Sequence, residues 1–351
     1  MKRKQIVLLI LVAVLAAAFM GCGAGEKAVA PAPAAPAAAA GPAAPDYSKE
    51  VYVWACQYNS LPLFVNNDYI GMDLIAKQLG VTVKKIGPQN VDLPAFIAAI
   101  EQEIPNKPNG MMVVGWDASE KVAIDKAMAA GIPVVTDDAD VPDSSRLCFV
   151  GTDWTQLGET QAKAAAKYLA DKKGKAVCIG IPGADNNTMA LSGYTSVLKQ
   201  MAPGIQVVQQ VYDSQSNAQV VAQTIGNLIK SDPSIVAVAG FDSTCGPGIG
   251  QAIQEAGVKD KVVGTCVDAE PEHLAQVKAG NLKAAVGQKR IFFTYYGVRM
   301  LFDYNHNGIT FTKDDKGMGI SPIPASISTG FIVATPENVQ IMLDTQAAKA
   351  K

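Results

Sequence analysis

The chain has 351 residues, with 30 Lys plus Arg set against 32 Asp plus Glu and a formal net charge of −2. That near-balance leaves no basic surplus to neutralise a phosphate backbone, which excludes nucleic acid as a partner on electrostatic grounds. Two histidines, His273 and His306, are too few for a His-rich metal or catalytic centre, and the length fits two domains.

Lys2-Arg3-Lys4 precedes an apolar run that ends in small residues before Cys22. A basic start, an apolar middle and a small-residue end are the layout of an export signal, assigned to residues 1–22 and set aside from the fold. Phe19-Met20-Gly21-Cys22 resembles a lipoprotein processing box, which makes Cys22 the expected lipidated residue and places the chain on a membrane outside the cytoplasm. Alternating Ala and Pro over residues 23–49 disfavour a packed core and read as an extended tether.

From residue 50 the pattern is regular. Apolar runs of strand length occur at VYVWAC, VTVKKI, GMMVVGW, IPVVT and LCFVG, then at KAVCIGI, IQVVQQV, SIVAVAG, KVVGTCV and AAVGQ. Amphipathic segments of helical length separate most of them, several closing on Gly, as at Gly80 and Gly257. Apolar strands alternating with helices predict parallel sheets buried on both faces. Ten strands exceed one ordinary sheet of this type, so two similar Rossmann-like α/β lobes of about five strands are expected.

Ligands in such sheets bind beyond the carboxyl ends of the strands, and here nearly every strand ends in an acid: Asp117, Asp138, Asp153, Asp185, Asp213, Asp242 and Asp268. Many of these are explained as helix N-caps, Asp117 with Glu120 in capping-box spacing. Asp138 is followed by ADVPDSS rather than a helix, and after Asp268 the cap is Glu270 with Pro271 at the first helical position. These two acids are the freest to face a cleft. Neighbours on a strand point to opposite faces, so Asp137 and Asp138 cannot both aim at one site. That argues against a metal cluster or a carboxylate pair sharing a proton. A single carboxylate suits a hydroxyl-rich ligand, because it accepts from two adjacent OH groups.

The blocks VVGWDA, GIPVVTDDADVPDSSRLCFVGTD and AQVKAGNLKAAVGQKRIFFTYYGV resemble the type I, ribose- and galactose-like periplasmic sugar-binding proteins of ABC importers, over residues 52–343. Within that superfamily DDADVPDSSR and GFDSTCGPG resemble the rhamnose and autoinducer-2 type. The resemblance implies two lobes joined by a three-strand hinge, residues 50–151 plus 289–324 forming lobe 1 and residues 152–288 plus 325–345 lobe 2. It places the crossings near Gly151-Thr152, Gln288 and Pro324. It also implies that the lobes close on a ligand and that the closed form docks on a membrane permease.

Carried over by position, the family's binding residues fall on Asp138, Asp268, the hinge residue Gln288 and Phe64. The family's Arg positions are occupied by Ala139 and Thr188, and its Asn after the eighth strand by Phe241, directly before Asp242. Each absent Arg removes a rigid fork of donors, which argues against ribose itself. Asn186 or Asn187 is placed to supply neutral donors and acceptors instead. A sugar ring also buries its C–H face on an aromatic, for which Trp116 and Phe64 are the candidates. The expected ligand-binding set is Asp138, Asp268, Gln288, Asp242, Phe64, Trp116, Asn187 and Phe241.

Other motifs carry less. GPGIG at Gly246–Gly250 has Gln251 where a dinucleotide loop needs its last glycine. Asp303, Asn305, Asn307, Gly308 and Asp314 have the spacing of a calcium loop, but Thr310 stands at its apolar position. Without Cys22 five cysteines remain, an odd number, and Cys245 with Cys266 is the pair to test. No nucleophile sits beside a base, so an enzyme is not expected, and neither is a cofactor or a metal. The expectation is a monomeric, lipid-anchored extracytoplasmic binding protein for a small neutral sugar or sugar-like ligand; pentose, hexose, polyol and autoinducer-2 stay open. Its partner is an ABC permease, or alternatively a chemoreceptor or sensor kinase that reads the closed form without transport.

Overall fold

The computed structural model describes residues 45–169 and 171–349; the expected export signal, Cys22 and the tether up to residue 44 lie outside the described residues. The first lobe runs through β1 (Val51–Ala55), α1 (Tyr69–Leu79), β2 (Thr82–Ile86), α2 (Leu93–Glu103), β3 (Gly110–Val114), α3 (Lys121–Ala129), β4 (Val134–Asp138) and β5 (Cys148–Gly151). The second runs through α4 (Trp154–Leu169), β6 (Gly174–Gly180), α5 (Asp185–Met201), β7 (Ile205–Asp213), α6 (Ala218–Ser231), β8 (Ile235–Gly240), α7 (Cys245–Ala256), β9 (Val263–Val267), α8 (Pro271–Lys278) and β10 (Ala284–Gln288). The chain then returns to the first lobe with α9 (Ile291–His306) and β11 (Ser326–Ser328), and to the second with β12 (Phe331–Ala334) and α10 (Val339–Lys349).

Strand alternation sorts each lobe into two buried layers. Tyr52, Trp54, Met112 and Val114 point to one face of the first sheet and pack with Met72 and Ile75 of α1 and Val298 and Leu301 of α9. Val53, Ala55, Met111 and Val113 point to the other face, against Phe96 and Ile100 of α2 and Ala123 and Ile124 of α3. In the second lobe Val177, Ile179 and Val238 meet α6 and α7, while Ala176, Cys178, Ala237 and Ala239 meet α4 and α5. Strands covered on both faces must be apolar throughout, which is why these runs show no polar alternation. The edge strand β2 is largely exposed instead and carries Lys84 and Lys85, which discourages pairing with another chain.

Both sheets have the same order, β2-β1-β3-β4-β5-β11 and β7-β6-β8-β9-β10-β12. The equivalence pairs β4 with β9, so Asp138 and Asp268 leave corresponding strands of the two lobes. Both residues adopt φ of +66°, in the left-handed region where Asp is tolerated but most side chains are not. This turn takes each acid out of the strand's alternation.

The chain passes between the sheets after β5, after β10 and between β11 and β12. The third passage is a correction. It was expected near Pro324, but β11 still pairs with β5, Ser326 to Ser328 against Phe149 to Gly151, and the crossing falls at Thr329–Gly330. Lobe 1 therefore extends to Ser328. Because β11 and β12 are nearly one continuous run, it is parallel to its neighbour in one sheet and antiparallel in the other.

Candidate ligand-binding site

One wall of the candidate site is built by loops at the carboxyl ends of β1, β3 and β4. After β1 the chain makes a single π-helical turn, Phe64–Asp68, which leads into α1. Phe64 is fully buried and stacks on Trp116 at 5.6 Å and 29°. Trp116 keeps 38% of its surface exposed, so it presents the aromatic face and Phe64 backs it. Its indole Nε1 donates to Asp138 Oδ2 at 2.8 Å. Asp138 Oδ1 accepts from Arg290 Nη1 at 2.5 Å. Each carboxylate oxygen retains one further acceptor direction.

The second group lies at the hinge. Gln288 Nε2 donates to Asp268 Oδ1 at 3.0 Å, and Thr152 Oγ1 donates to Gln288 Oε1 at 2.6 Å. Thr152 follows β5 and Gln288 ends β10, so two of the three crossings are tied together by the side chains that orient Asp268. Asp268 Oδ2 takes no hydrogen bond among the described residues, which leaves a strong acceptor unengaged.

The remaining expected residues do other things. Phe241 is a correction: it is fully buried, lies edge-on to Tyr194 at 6.3 Å, and belongs to the core under α4 and α5. It continues the phase of Ala237 and Ala239, so alternation turns it inward. Asn187 is also withdrawn, 1% exposed, with Oδ1 accepting from the Ile181 N–H at 3.0 Å and Nδ2 donating to Asn186 Oδ1 at 2.9 Å. Asp242 closes its own turn, taking the Thr244 N–H at 2.8 Å, the Thr244 hydroxyl at 2.6 Å and the Ser214 hydroxyl. Asp117 and Glu120 form a reciprocal capping box, and Glu270 and Pro271 open α8 as spaced.

Two participants could not be picked out from the sequence, Arg290 and Asp68, and a third, Asp137, was expected to point away from the site. Arg290, 4% exposed, holds Asp68 with Nε at 3.0 Å and Nη2 at 3.1 Å in a bidentate pair, and its guanidinium sits 5.0 Å from the rings of both Phe64 and Phe293. The sequence did hold a signal. Lys289 and Arg290 stand at the N-terminus of a helix, where the dipole disfavours cations, so a basic residue there needs a nearby acid. Asp137 is fully buried and accepts from Trp54 Nε1 at 3.2 Å.

Charge in this cluster is set by burial. Desolvation pushes the Asp137 carboxyl well above the usual carboxylate range, helped by the Asp68 and Asp138 charges. It also pushes Asp68 up to about 7, against the pull of Arg290. Burial opposes the charge on Arg290, but Asp138 and Asp68 outweigh it and hold the guanidinium firmly protonated. The wall therefore has one fixed cation against the carboxylates of Asp68 and Asp138.

A family model described as the periplasmic binding protein domain matches residues 52–307. The chain belongs to the periplasmic binding protein family. It is 27% identical over 224 residues to the ribose import binding protein of Bacillus subtilis (strain 168), spanning 62% of this chain and 70% of that protein. To the D-allose-binding periplasmic protein of Escherichia coli (strain K12) it is 27% identical over 165 residues, 46% of this chain and 51% of that one. Among solved structures, the sugar-binding protein of a sugar ABC transporter from Bacillus halodurans gives a TM-score of 0.75 at 26% identity, over 83% of this chain and 99% of that one. An arabinose-binding protein from Geobacillus stearothermophilus gives 0.74 at 26% identity, over 85% and 99%.

The likenesses span both lobes, and the two-lobed architecture is the type I fold of this family. Periplasmic binding proteins act outside the cytoplasm; among the described residues no helix is long and apolar enough to cross a membrane. The calcium-like segment does not converge on a point. Asp303 pairs with Arg299, Asn305 donates to Asn109 O at 2.9 Å, and Asn307 accepts from the Ile309 N–H at 2.8 Å. Cys56, Cys148, Cys178, Cys245 and Cys266 are all buried thiols, so Cys245 and Cys266 do not pair.

Proposed function

We propose that the protein captures a small neutral sugar between its lobes and delivers it to an ABC-transporter permease, tethered outside the cytoplasm through a lipidated Cys22. The observation that carries this reading is the pairing of Asp138 and Asp268. They leave equivalent strands, share the same left-handed turn and keep acceptor directions open, Asp138 beside the exposed face of Trp116. Carboxylates accept hydroxyl protons in pairs, and the indole face covers ring C–H groups, which together describe a polyol that carries no charge. The named cargo of the relatives, ribose, allose and arabinose, fits that chemistry.

Asp138, Asp268, Gln288 and Trp116 make the contacts in this reading. Phe64 and Arg290 support them from behind, and Asp242, held by its own turn, stands after β8 in the second lobe. Thr152 fixes the amide of Gln288, which in turn orients Asp268. The monomer is the functional unit, since each lobe supplies one acid.

Isothermal titration with neutral aldoses tests the assignment. Asp138→Ala and Asp268→Ala each abolish binding while the far-UV circular dichroism stays native. Unchanged isotherms for both variants contradict the site. Transport is separated from sensing by whether the liganded protein stimulates ATP hydrolysis by a reconstituted permease.

A further inference from the structure

Asp68 has no exposed surface, yet both its carboxylate oxygens are engaged by a cation. Both its carboxylate oxygens accept from Arg290, and its backbone carbonyl accepts from Thr294 Oγ1 at 2.6 Å. The two helices that carry these groups meet in backbone contact, because a Cβ at Gly71 of α1 would fall 2.1 Å from the Ile291 carbonyl oxygen of α9. Arg290 is flanked by Phe64 and Phe293 and cannot swing. Three of its five N–H donors are engaged, two by Asp68 and one by Asp138.

A guanidinium beside a sugar cleft is the natural anchor for a carboxylate, which it grips through two parallel N–H groups. Here that fork is filled from behind. We propose that Asp68 is a positioning residue that sets the charge selectivity of the cleft: by occupying Arg290 it denies the guanidinium to anionic ligands, so neutral sugars enter and sugar acids are refused. The inference rests on the neutral-sugar reading above. With Asp68 and Asp138 both ionised, one cation faces two anions and the wall repels a carboxylate; like-charge rejection of this kind is how a site excludes a near-isostere. Neutralising Asp68 breaks one of its two bonds to the guanidinium, leaves the Arg290 charge uncompensated from behind, and removes the repulsion.

The same change occurs without mutation as pH falls, because burial lifts the Asp68 carboxyl to about 7. The charged and titratable groups facing it are Arg290 from α9, Asp137 and Asp138 from β4, Cys56 after β1 and Tyr69 at the start of α1; Glu270 faces Arg290 from the other lobe. Asp68→Asn isolates the share of Asp68 from theirs.

The test is isothermal titration of the full chain with D-ribose, D-arabinose, D-galactose and D-galacturonate, the last being the galactose ring with a carboxylate in place of its CH2OH. At pH 8 wild type is expected to bind its tightest neutral sugar at least 100-fold better than galacturonate. Asp68→Asn cuts that ratio at least tenfold, and wild type loses a similar part of it at pH 6 while the variant stays flat. A structural role alone would weaken all four ligands together and leave the ratio untouched. If wild type binds a neutral sugar and the ratio is the same in Asp68→Asn, the inference is overturned and the sugar reading stands. If wild type binds none of the neutral sugars, the sugar reading falls and takes the inference with it. Should Asp68→Asn not fold, the wild-type series decides: a ratio unchanged between pH 8 and pH 6 overturns the proposal.

Discussion

Replacing Arg290 with Met keeps the aliphatic bulk between Phe64 and Phe293 but removes the cation from Asp68 and Asp138. Arg290 is 4% exposed and Asp68 0%, so solvent cannot compensate. Removing one partner of a buried ion pair costs about 3–5 kcal/mol, because the other charge is stranded. At pH 8 wild-type Asp68 is ionised and the pair is there to lose, but without the pull of Arg290 the buried carboxyl rises further and takes up a proton, which keeps the cost near the lower end of that range. At pH 5.5 Asp68, lifted to about 7 by burial, is protonated with or without Arg290, so on its side only hydrogen bonds are lost, about 1–3 kcal/mol. Urea unfolding followed by tryptophan fluorescence reads both values, Trp54 and Trp116 lying beside the cluster. A loss below about 1 kcal/mol at pH 8, or one equal at the two pH values, would refute the buried triad as the organiser of this wall.

Three further outcomes follow from the same geometry. Trp116→Phe keeps an aromatic face but drops the bond to Asp138, a hydrogen bond to a charged group worth about 1.5–3 kcal/mol, so titration should show affinity falling by roughly 10–150-fold; an unchanged Kd means the indole N–H is idle. Gly71→Ala drives a methyl into the Ile291 carbonyl and costs about 1–3 kcal/mol in urea unfolding, whereas a neutral result would show that α1 and α9 separate freely. The third concerns pH. Burial raises Asp68 to about 7 and Glu120 to about 8, so the folded state keeps protons that the unfolded chain releases near pH 4. Their contribution is fully present below that point and is lost as pH climbs through about 7 to 8. The melting temperature is therefore higher at pH 5.5 than at pH 8, and the reverse order contradicts the burial of these acids.

What could be read from the residues was what obeys a local period. Alternation with continuous apolar runs gave the two sheets, but it did not reach past Asp138, whose left-handed turn leaves it in one charged cluster with Asp137, Asp68 and Arg290. The same rule applied to β8 would have turned Phe241 inward with Ala237 and Ala239. The third crossing was misplaced because β11 is only Ser-Ile-Ser, half exposed, with no apolar run to mark it. Arg290 escaped for a different reason. Its partners lie 222 and 152 residues away, so only the folded chain shows that a hinge arginine reaches the strand-four acid. That arginine arrives from another segment than the family pattern, and the arginines missing at Ala139 and Thr188 do not leave the wall without a guanidinium.

The most direct test of the central claim is a thermal-shift series on the full chain, unfolded and refolded beforehand to strip any ligand carried through purification. The panel holds D-ribose, D-arabinose, D-galactose, D-glucose, xylitol, autoinducer-2 and D-galacturonate. A ligand bound only by the folded state stabilises it by about 4 kcal/mol at a thousandfold excess over its Kd. The account predicts that at least one neutral member raises the melting temperature of wild type, and that Asp268→Ala abolishes the rise. A response to D-galacturonate alone, or to none of the panel, contradicts it.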